Sequence, residues 1–303
     1  MYPGYLSDVE GILVGHEEDP QGGTGVTVIV PPRGNTCSVD VRGGAPGTRE
    51  CVLLGPEYDV SEVHAIVLAG GSAYGLEAAS GVMKALRDDG IGFDVGVGVV
   101  PIVPASVLFD LTYGSPHVWP TEAMGRAAYE ARSEEHRQGS IGAGTGCVAA
   151  KVMGLELATK SGLGSASLRS GELVVSALVC VNALGNIYDP EAGVQLAGPK
   201  VDGEFVDIYR AMEGFGSTFA DAGKNTTIGV IATNAKFDKT SLKKLAGLAH
   251  NGYARSIIPV HTMLDGDSIY ALSTGKVEAN LNVVGTMAAR VMSRAIANAI
   301  ELA

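Results

Sequence analysis

Apolar and polar positions divide the chain into short strands and amphipathic helices. Residues 26–30 form a continuous β-branched run closed by Pro31-Pro32-Arg33-Gly34. Residues 37–42 alternate Val39 and Val41 against Ser38 and Asp40. Both predict strands. Residues 64–69 predict a third strand, followed by Gly70-Gly71-Ser72-Ala73-Tyr74-Gly75. A helix is then predicted over 76–89, where Leu76, Ala79, Val82, Met83 and Leu86 recur at helical spacing and Gly90 supplies the stop. A second helix, with a weakly apolar face, is predicted over 121–136 after Pro120.

Residues 173–181 read as a buried strand closed by Asn182, and 228–233 as another. Asp238 or Thr240 can cap a helix running to His250, with Gly252 as its stop. Residues 268–273 predict a strand. Residues 282–302 predict an amphipathic helix carrying Val284, Met287, Val291, Met292, Ala295, Ile296 and Ile300. The stretch 198–223 shows no firm periodicity and reads as an exposed, mobile lead-in to Asn225. No composition break divides the chain, so residues 1–303 are expected to form a single α/β domain with helices covering sheet faces.

Composition narrows the function classes. The 303 residues are 46% hydrophobic and 18% charged, enough for a large core. No apolar run approaches the ~18 residues of a membrane span. A net charge of −11 argues against a nucleic-acid partner. Met1-Tyr2-Pro3-Gly4 begins no basic-then-apolar leader, so a cytoplasmic location is expected. The 42 glycines follow no repeat and predict tight turns and close backbone approaches. Low charge also points to surface hidden in a homo-oligomer. Cys37, Cys51, Cys147 and Cys180 are widely spaced, and the histidines form no H-E-x-x-H. Free thiols, no metal and no cofactor are expected.

Candidate chemistry lies in five places. Asn225-Thr226-Thr227 precedes the apolar run 228–232. This suits a chain that cuts itself at Asn225–Thr226 and frees a Thr carrying nucleophile and base in one residue. The same triplet also matches a glycosylation acceptor or a polar turn before a strand. Ser72 lies between a strand and a helix, as a nucleophile elbow would, but Tyr74 stands where that pattern wants Gly. Gly142-x-Gly144-x-Gly146 lacks the spacing of a dinucleotide loop. His261-Thr262-Met263-Leu264-Asp265-Gly266-Asp267 is a polar knot whose two carboxylates could orient an ammonium or simply turn a hairpin. Asn182 could offer an amide N–H to an oxyanion.

Five runs occur in order: Asp40-Val41-Arg42-Gly43-Gly44-Ala45, Ala69-Gly70-Gly71-Ser72-Ala73-Tyr74-Gly75-Leu76-Glu77-Ala78, Ile141-Gly142-Ala143-Gly144, Asn225-Thr226-Thr227-Ile228 and His261-Thr262-x-x-Asp265-Gly266-Asp267. Together they resemble the family of L-aminopeptidase/D-esterases, β-aminopeptidases and nylon-oligomer endohydrolases. Asn-Thr-Thr and Asp-Gly-Asp are shared with the nylon-oligomer branch. The resemblance implies a four-layer αββα sandwich and self-cleavage into residues 1–225 and 226–303. It further implies a tetramer of cleaved heterodimers that hydrolyses small peptides or oligoamides. Carried over by position, Thr226 is the nucleophile and its freed amine the base. Lys151 lies near it, Asn182 holds the oxyanion, and Asp265 and Asp267 orient the threonine.

Two departures stand out. Phe109 occupies a position where some members carry a Tyr hydroxyl, leaving a backbone group, Tyr74 or Tyr113 to replace it. Lys224 separates Gly223 from Asn225. Two other readings remain: a non-catalytic small-molecule binder on the same scaffold, and a hydrolase built on Ser72.

Overall fold

The structure, a computed structural model, describes residues 1–216 and 225–303. Its frame is β1 (Leu13–Asp19), β2 (Thr24–Val30), β3 (Thr36–Val41), β4 (Gly47–Arg49), β5 (Ile66–Ala69), α1 (Ala78–Asp88), β6 (Ala105–Val107), α2 (Glu122–Glu130), β7 (Leu163–Ser170), β8 (Leu173–Asn182), α3 (Ile208–Phe215), β9 (Thr226–Ala235), α4 (Lys239–Ser256), β10 (Ser268–Val277) and α5 (Leu281–Glu301). One sheet runs β1-β2-β5-β6-β4. The other runs β7-β8-β9-β10-β3.

Alternation along the strands sorts side chains between two environments. From the second sheet, Leu178, Cys180, Ile228, Val230 and Tyr270 meet Ile29, Ile66 and Leu68 of the first. The opposite face, with Val175, Val179, Ile231 and Ile269, packs on Leu245 and Tyr253 of α4 and Val291, Met292 and Ile296 of α5. On the first sheet, Val26, Val28 and Val67 pack on Val82 and Leu86 of α1 and Tyr129 of α2. Strand β8 is buried throughout, which is why 173–181 reads as a continuous apolar run.

The predicted elements are present with shifted ends. The first predicted helix opens as a 3-10 segment, Ser72–Glu77, before α1 begins. α2 is capped by Thr121 and stops well before His136, because Ser133 exchanges backbone hydrogen bonds with Val14 (2.9 and 3.0 Å). α4 is capped by Asp238 and runs through Gly252, where a Cβ would lie 2.5 Å from the Ala289 carbonyl of α5. Here glycine permits a helix–helix approach instead of ending the helix. The stretch 198–223 is only partly irregular: Asp207 accepts from the Tyr209 and Arg210 amides and starts α3. Lys224 and residues 217–223 lie outside the described residues.

Candidate active site

Strand β9 begins at Thr226 itself, opposite Asn182, the last residue of β8. The strand alternation that sends Ile228 and Val230 between the sheets sends Thr226 the same way. Thr227 lies on the opposite face, toward α4 and α5. Its hydroxyl is buried with no hydrogen-bond partner among the described residues. Thr226 and Asn225 line a cavity of about 200 Å³ with Ala45, Pro46, Gly47, Ser72, Ala73, Val107, Leu108 and Phe109.

The turn before β10 holds the residue preceding Thr226. Asn225 bridges to Asp265, and the Gly266 N–H donates to the Asn225 carbonyl oxygen (3.2 Å). The Thr226 hydroxyl donates to that same oxygen. The glycine run after β3 is stitched to this turn through Gly44 N–H to Thr262 O (3.1 Å) and Ala45 N–H to Asp265 O (2.9 Å). The fit is backbone against backbone. A Cβ on Gly43, which also has φ +83°, would stand 2.2 Å from the Asp265 carbonyl oxygen. Gly43 and Gly44 thus dock the run onto the turn, and Ala45-Pro46-Gly47, which follow, are a wall of the cavity.

The ionisable groups are buried and perturbed. Lys151 Nζ donates to Asn182 at its backbone oxygen (2.8 Å) and its Oδ1 (2.9 Å). Burial pulls the Lys151 ammonium down to about 7. The Asp265 carboxylate accepts from the Thr262 N–H (2.9 Å) and hydroxyl (2.6 Å). Burial first, and the neighbouring Asp267 charge second, push Asp265 up to about 6. Asp267 accepts the Thr227 N–H (2.6 Å) on one oxygen and pairs with His261 Nδ1 (2.7 Å) on the other. The five residues singled out from the sequence thus gather around the start of β9. The Asn182 amide is the surprise: its Nδ2 donates to the Phe109 carbonyl (2.6 Å), and its Oδ1 also accepts from the Val148 N–H (3.2 Å).

Ser72 shares the cavity and has a left-handed backbone, φ +53°. Its turn is fixed by Asp110, which accepts from the Gly71 N–H (2.7 Å) and the Thr24 hydroxyl (2.7 Å). Burial raises Asp110 to about 6. A Cβ on Gly70 would lie 1.9 Å from Asp110 Oδ2, so this turn requires glycine. Tyr74 stacks on Trp119 (4.6 Å), and Tyr113 lies beneath the Lys160 ammonium (5.3 Å). Neither is among the cavity's lining residues. Sequence reasoning missed Asp110 and the Gly266 N–H. The glycines around them were the available signal. All four cysteines are free. Among the described residues no cluster of His, Cys, Asp or Glu could hold a metal ion, and no helix is long and apolar enough to cross a membrane.

The architecture matches known aminopeptidases. A Burkholderia sp. β-aminopeptidase aligns with 97% of this chain and 85% of its own (TM-score 0.71, 20% identity). An L-aminopeptidase D-Ala-esterase/amidase from Ochrobactrum anthropi, described as a new variant among the Ntn hydrolase fold, aligns with 98% of this chain and 86% of its own (TM-score 0.72, 20% identity). The fold is that of Ntn-hydrolase-like aminopeptidases.

The chain belongs to peptidase family S58, whose profile matches residues 5–303. It is 41% identical over 293 residues to an uncharacterized aminopeptidase of Mycobacterium tuberculosis (strain ATCC 25618 / H37Rv), covering 90% of this chain and 82% of that one. It is 34% identical over 313 residues to a 6-aminohexanoate-oligomer endohydrolase of Kocuria sp. (strain KY2), covering 97% and 85%. The protein is a hydrolase of peptide or amide bonds.

Proposed function

We propose that the protein is a self-processing amide hydrolase whose nucleophile is Thr226, freed by cleavage of the Asn225–Thr226 bond. The observation that carries this reading is the double hold on the Asn225 carbonyl, by the Thr226 hydroxyl and by the Gly266 N–H. The hydroxyl rests against the carbonyl it is to attack, and a backbone donor points at the oxygen that becomes negative.

Before cleavage Thr226 has no free amine, so maturation needs another base. Lys151, held near neutrality by burial and tied to Asn182, fits that role. The Thr226 oxygen bonds to the Asn225 carbonyl carbon, its proton passing to Lys151. The C–N bond then breaks and the departing nitrogen takes a proton, leaving an ester. Water hydrolyses the ester to the Asn225 carboxylate and restores the Thr226 hydroxyl beside a free α-amine.

In turnover that amine is the base, and at about 7.7–8.0 it titrates near working pH. Thr226 attacks a substrate amide, the second N–H of the Asn182 amide (the first being given to Phe109) and a backbone N–H hold the oxyanion, the amine product leaves with a proton, and water clears the acyl-threonine. Asp265 and Asp267 orient the threonine. The cavity's ten described lining residues carry no charged side chain. This supports a neutral acyl segment from a small peptide or an amino-acid-like oligoamide, in keeping with the relative named for 6-aminohexanoate oligomers.

The two helix-covered sheets support a four-layer αββα sandwich. We place the cleaved heterodimer in a cytoplasmic homo-oligomer, a tetramer. Mass spectrometry of the purified protein tests the central reading. Chains of residues 1–225 and 226–303 are expected, with Thr226→Ala uncut and inactive. A single intact chain with full amidase activity overturns it.

A further inference from the structure

We propose that His261 is a positioning residue for the nucleophile, acting through Asp267. The inference rests on Thr226 being the nucleophile. Each oxygen of the Asp267 carboxylate, which is fully buried, has its own partner: Oδ1 takes the Thr227 N–H (2.6 Å) and Oδ2 pairs with His261 Nδ1 (2.7 Å). A carboxylate only accepts, so His261 Nδ1 is the donor. The other ring nitrogen, Nε2, is buried with no hydrogen-bond partner among the described residues, so Nδ1 carries the ring's one such bond to Asp267. The residue after the nucleophile is thus tied by its backbone to a carboxylate whose rotation a histidine blocks.

His261 is itself held against resistance. Its backbone is left-handed, φ +58°, a conformation unfavourable for a residue with a Cβ. Its ring is packed on two rings of α4, edge-on to His250 (4.8 Å between centroids) and tilted over Tyr253 (6.0 Å). These contacts aim Nδ1 at Asp267 and couple the outer helix to the start of β9. Removing the donor leaves one buried carboxylate oxygen unpaired and lets Asp267 turn, and Thr226 loses its alignment while the fold remains.

The test uses the full chain with two substitutions. In His261→Asn the side-chain amide N–H occupies the place of Nδ1–H. In His261→Gln it reaches instead toward the place of Nε2. Processing is followed by mass spectrometry, turnover with a 6-aminohexanoate oligomer and an aminoacyl anilide, and folding by thermal melting. Whichever probe the wild type cleaves is carried forward.

The Asn variant is expected to process and to keep kcat within about fivefold of wild type. The Gln variant is expected to lose about 100-fold in kcat with KM little changed and an unaltered melting midpoint, the scale of a misplaced reacting group. A Gln variant as active as wild type overturns the proposal. So do equal losses in both variants accompanied by early melting, which make His261 a packing residue only. Thr226→Ala separates the two readings. If it stays processed and active, the nucleophile assignment fails. If it is inert while His261→Gln is fully active, only the positioning role fails.

Discussion

Asn182 and Thr226 face each other directly across two neighbouring antiparallel strands, and both side chains lie on the inter-sheet face. Asn182 is also the acceptor for the Lys151 ammonium and the donor to the Phe109 carbonyl. It therefore joins the candidate base to the wall of the cavity. Replacing it by Asp adds a negative charge beside Lys151, favours the ammonium and removes the donor to Phe109. A tenfold gain in the proton affinity of Lys151, which starts at about 7, cuts its neutral fraction at pH 7 from about a half to about a tenth, roughly fivefold. Asn182→Asp is expected to slow self-cleavage at pH 7 by at least about that factor, read as the half-time for appearance of the chain starting at Thr226. Unchanged processing would remove Lys151 from the maturation step.

Maturation should depend on pH in one direction. Burial lowers Lys151 from its ordinary value to about 7, so the proton-accepting form increases as pH rises through that point. The first-order rate of cleavage of freshly refolded precursor is expected to climb from pH 5.5 to about 7.5 and then level off. Lys151→Arg, charged at every accessible pH, should leave the precursor uncut. A flat profile counts against Lys151 as the base.

Asp265 supplies a stability test with the opposite chemistry. Its folded-state value, about 6, lies above the ordinary 3.8, so the folded chain binds the proton more tightly than the unfolded one. Both states are protonated below the ordinary value. Between there and about 6 the unfolded chain ionises first, and folding loses stability as pH rises. Asp265→Asn in the uncut Thr226→Ala background should therefore raise the melting midpoint by a few °C at pH 8, the scale of about 1–2 kcal/mol, and change it little at pH 3.5. A midpoint lowered equally at both pH values would show that the Thr262 hydrogen bonds matter more than the buried charge.

The sequence revealed the elements whose signal is local. Strand β8 is apolar because both its faces are buried, and α5 keeps its helical period because one side packs on a sheet. Edge strands were harder to read. β1 ends in Glu17, Glu18 and Asp19, which lie half-buried at the sheet edge. β7 is built of small residues because α5 lies against it, with a Cβ on Gly164 standing 2.0 Å from the Ala295 carbonyl oxygen. The site residues were legible as motifs, but their bonds were not. Nothing in the order of residues shows that the Asn182 amide turns to Phe109, or that Asp110 locks the Gly70-Gly71-Ser72 turn from another strand's end. These pairings join residues separated by long stretches of chain and are decided by packing.

Ser72 can be separated from Thr226 although both line one cavity. Its left-handed backbone is held by Asp110, yet no described hydrogen bond links its hydroxyl to a base. Ser72→Ala is expected to process fully and to keep kcat within about tenfold of wild type, an effect of lost substrate contact rather than lost chemistry. Complete loss of turnover in a correctly cut Ser72→Ala protein would transfer the nucleophile to Ser72.

The Gly266 N–H donates to the carbonyl of Asn225, whose bond to Thr226 is proposed to be cut, and its residue has no room for a side chain. A Cβ there would stand 2.4 Å from the Ala45 carbonyl oxygen and 2.9 Å from Pro46 Cα. The Gly266 backbone is not among the positive-φ positions, so Ala can adopt its conformation and only the contact is at issue. To make room, the 265–267 turn must move off Ala45 and Pro46, drawing the N–H away from Asn225. Gly266→Ala should slow self-cleavage by roughly 10²–10³, the loss typical of one oxyanion donor. Gly214→Ala in α3, where a Cβ meets nothing within 4 Å among the described residues, serves as the control and should process at the wild-type rate. Both variants are followed by mass spectrometry from the moment of refolding. If Gly266→Ala cuts as fast as Gly214→Ala, the oxyanion of the maturation step is held elsewhere.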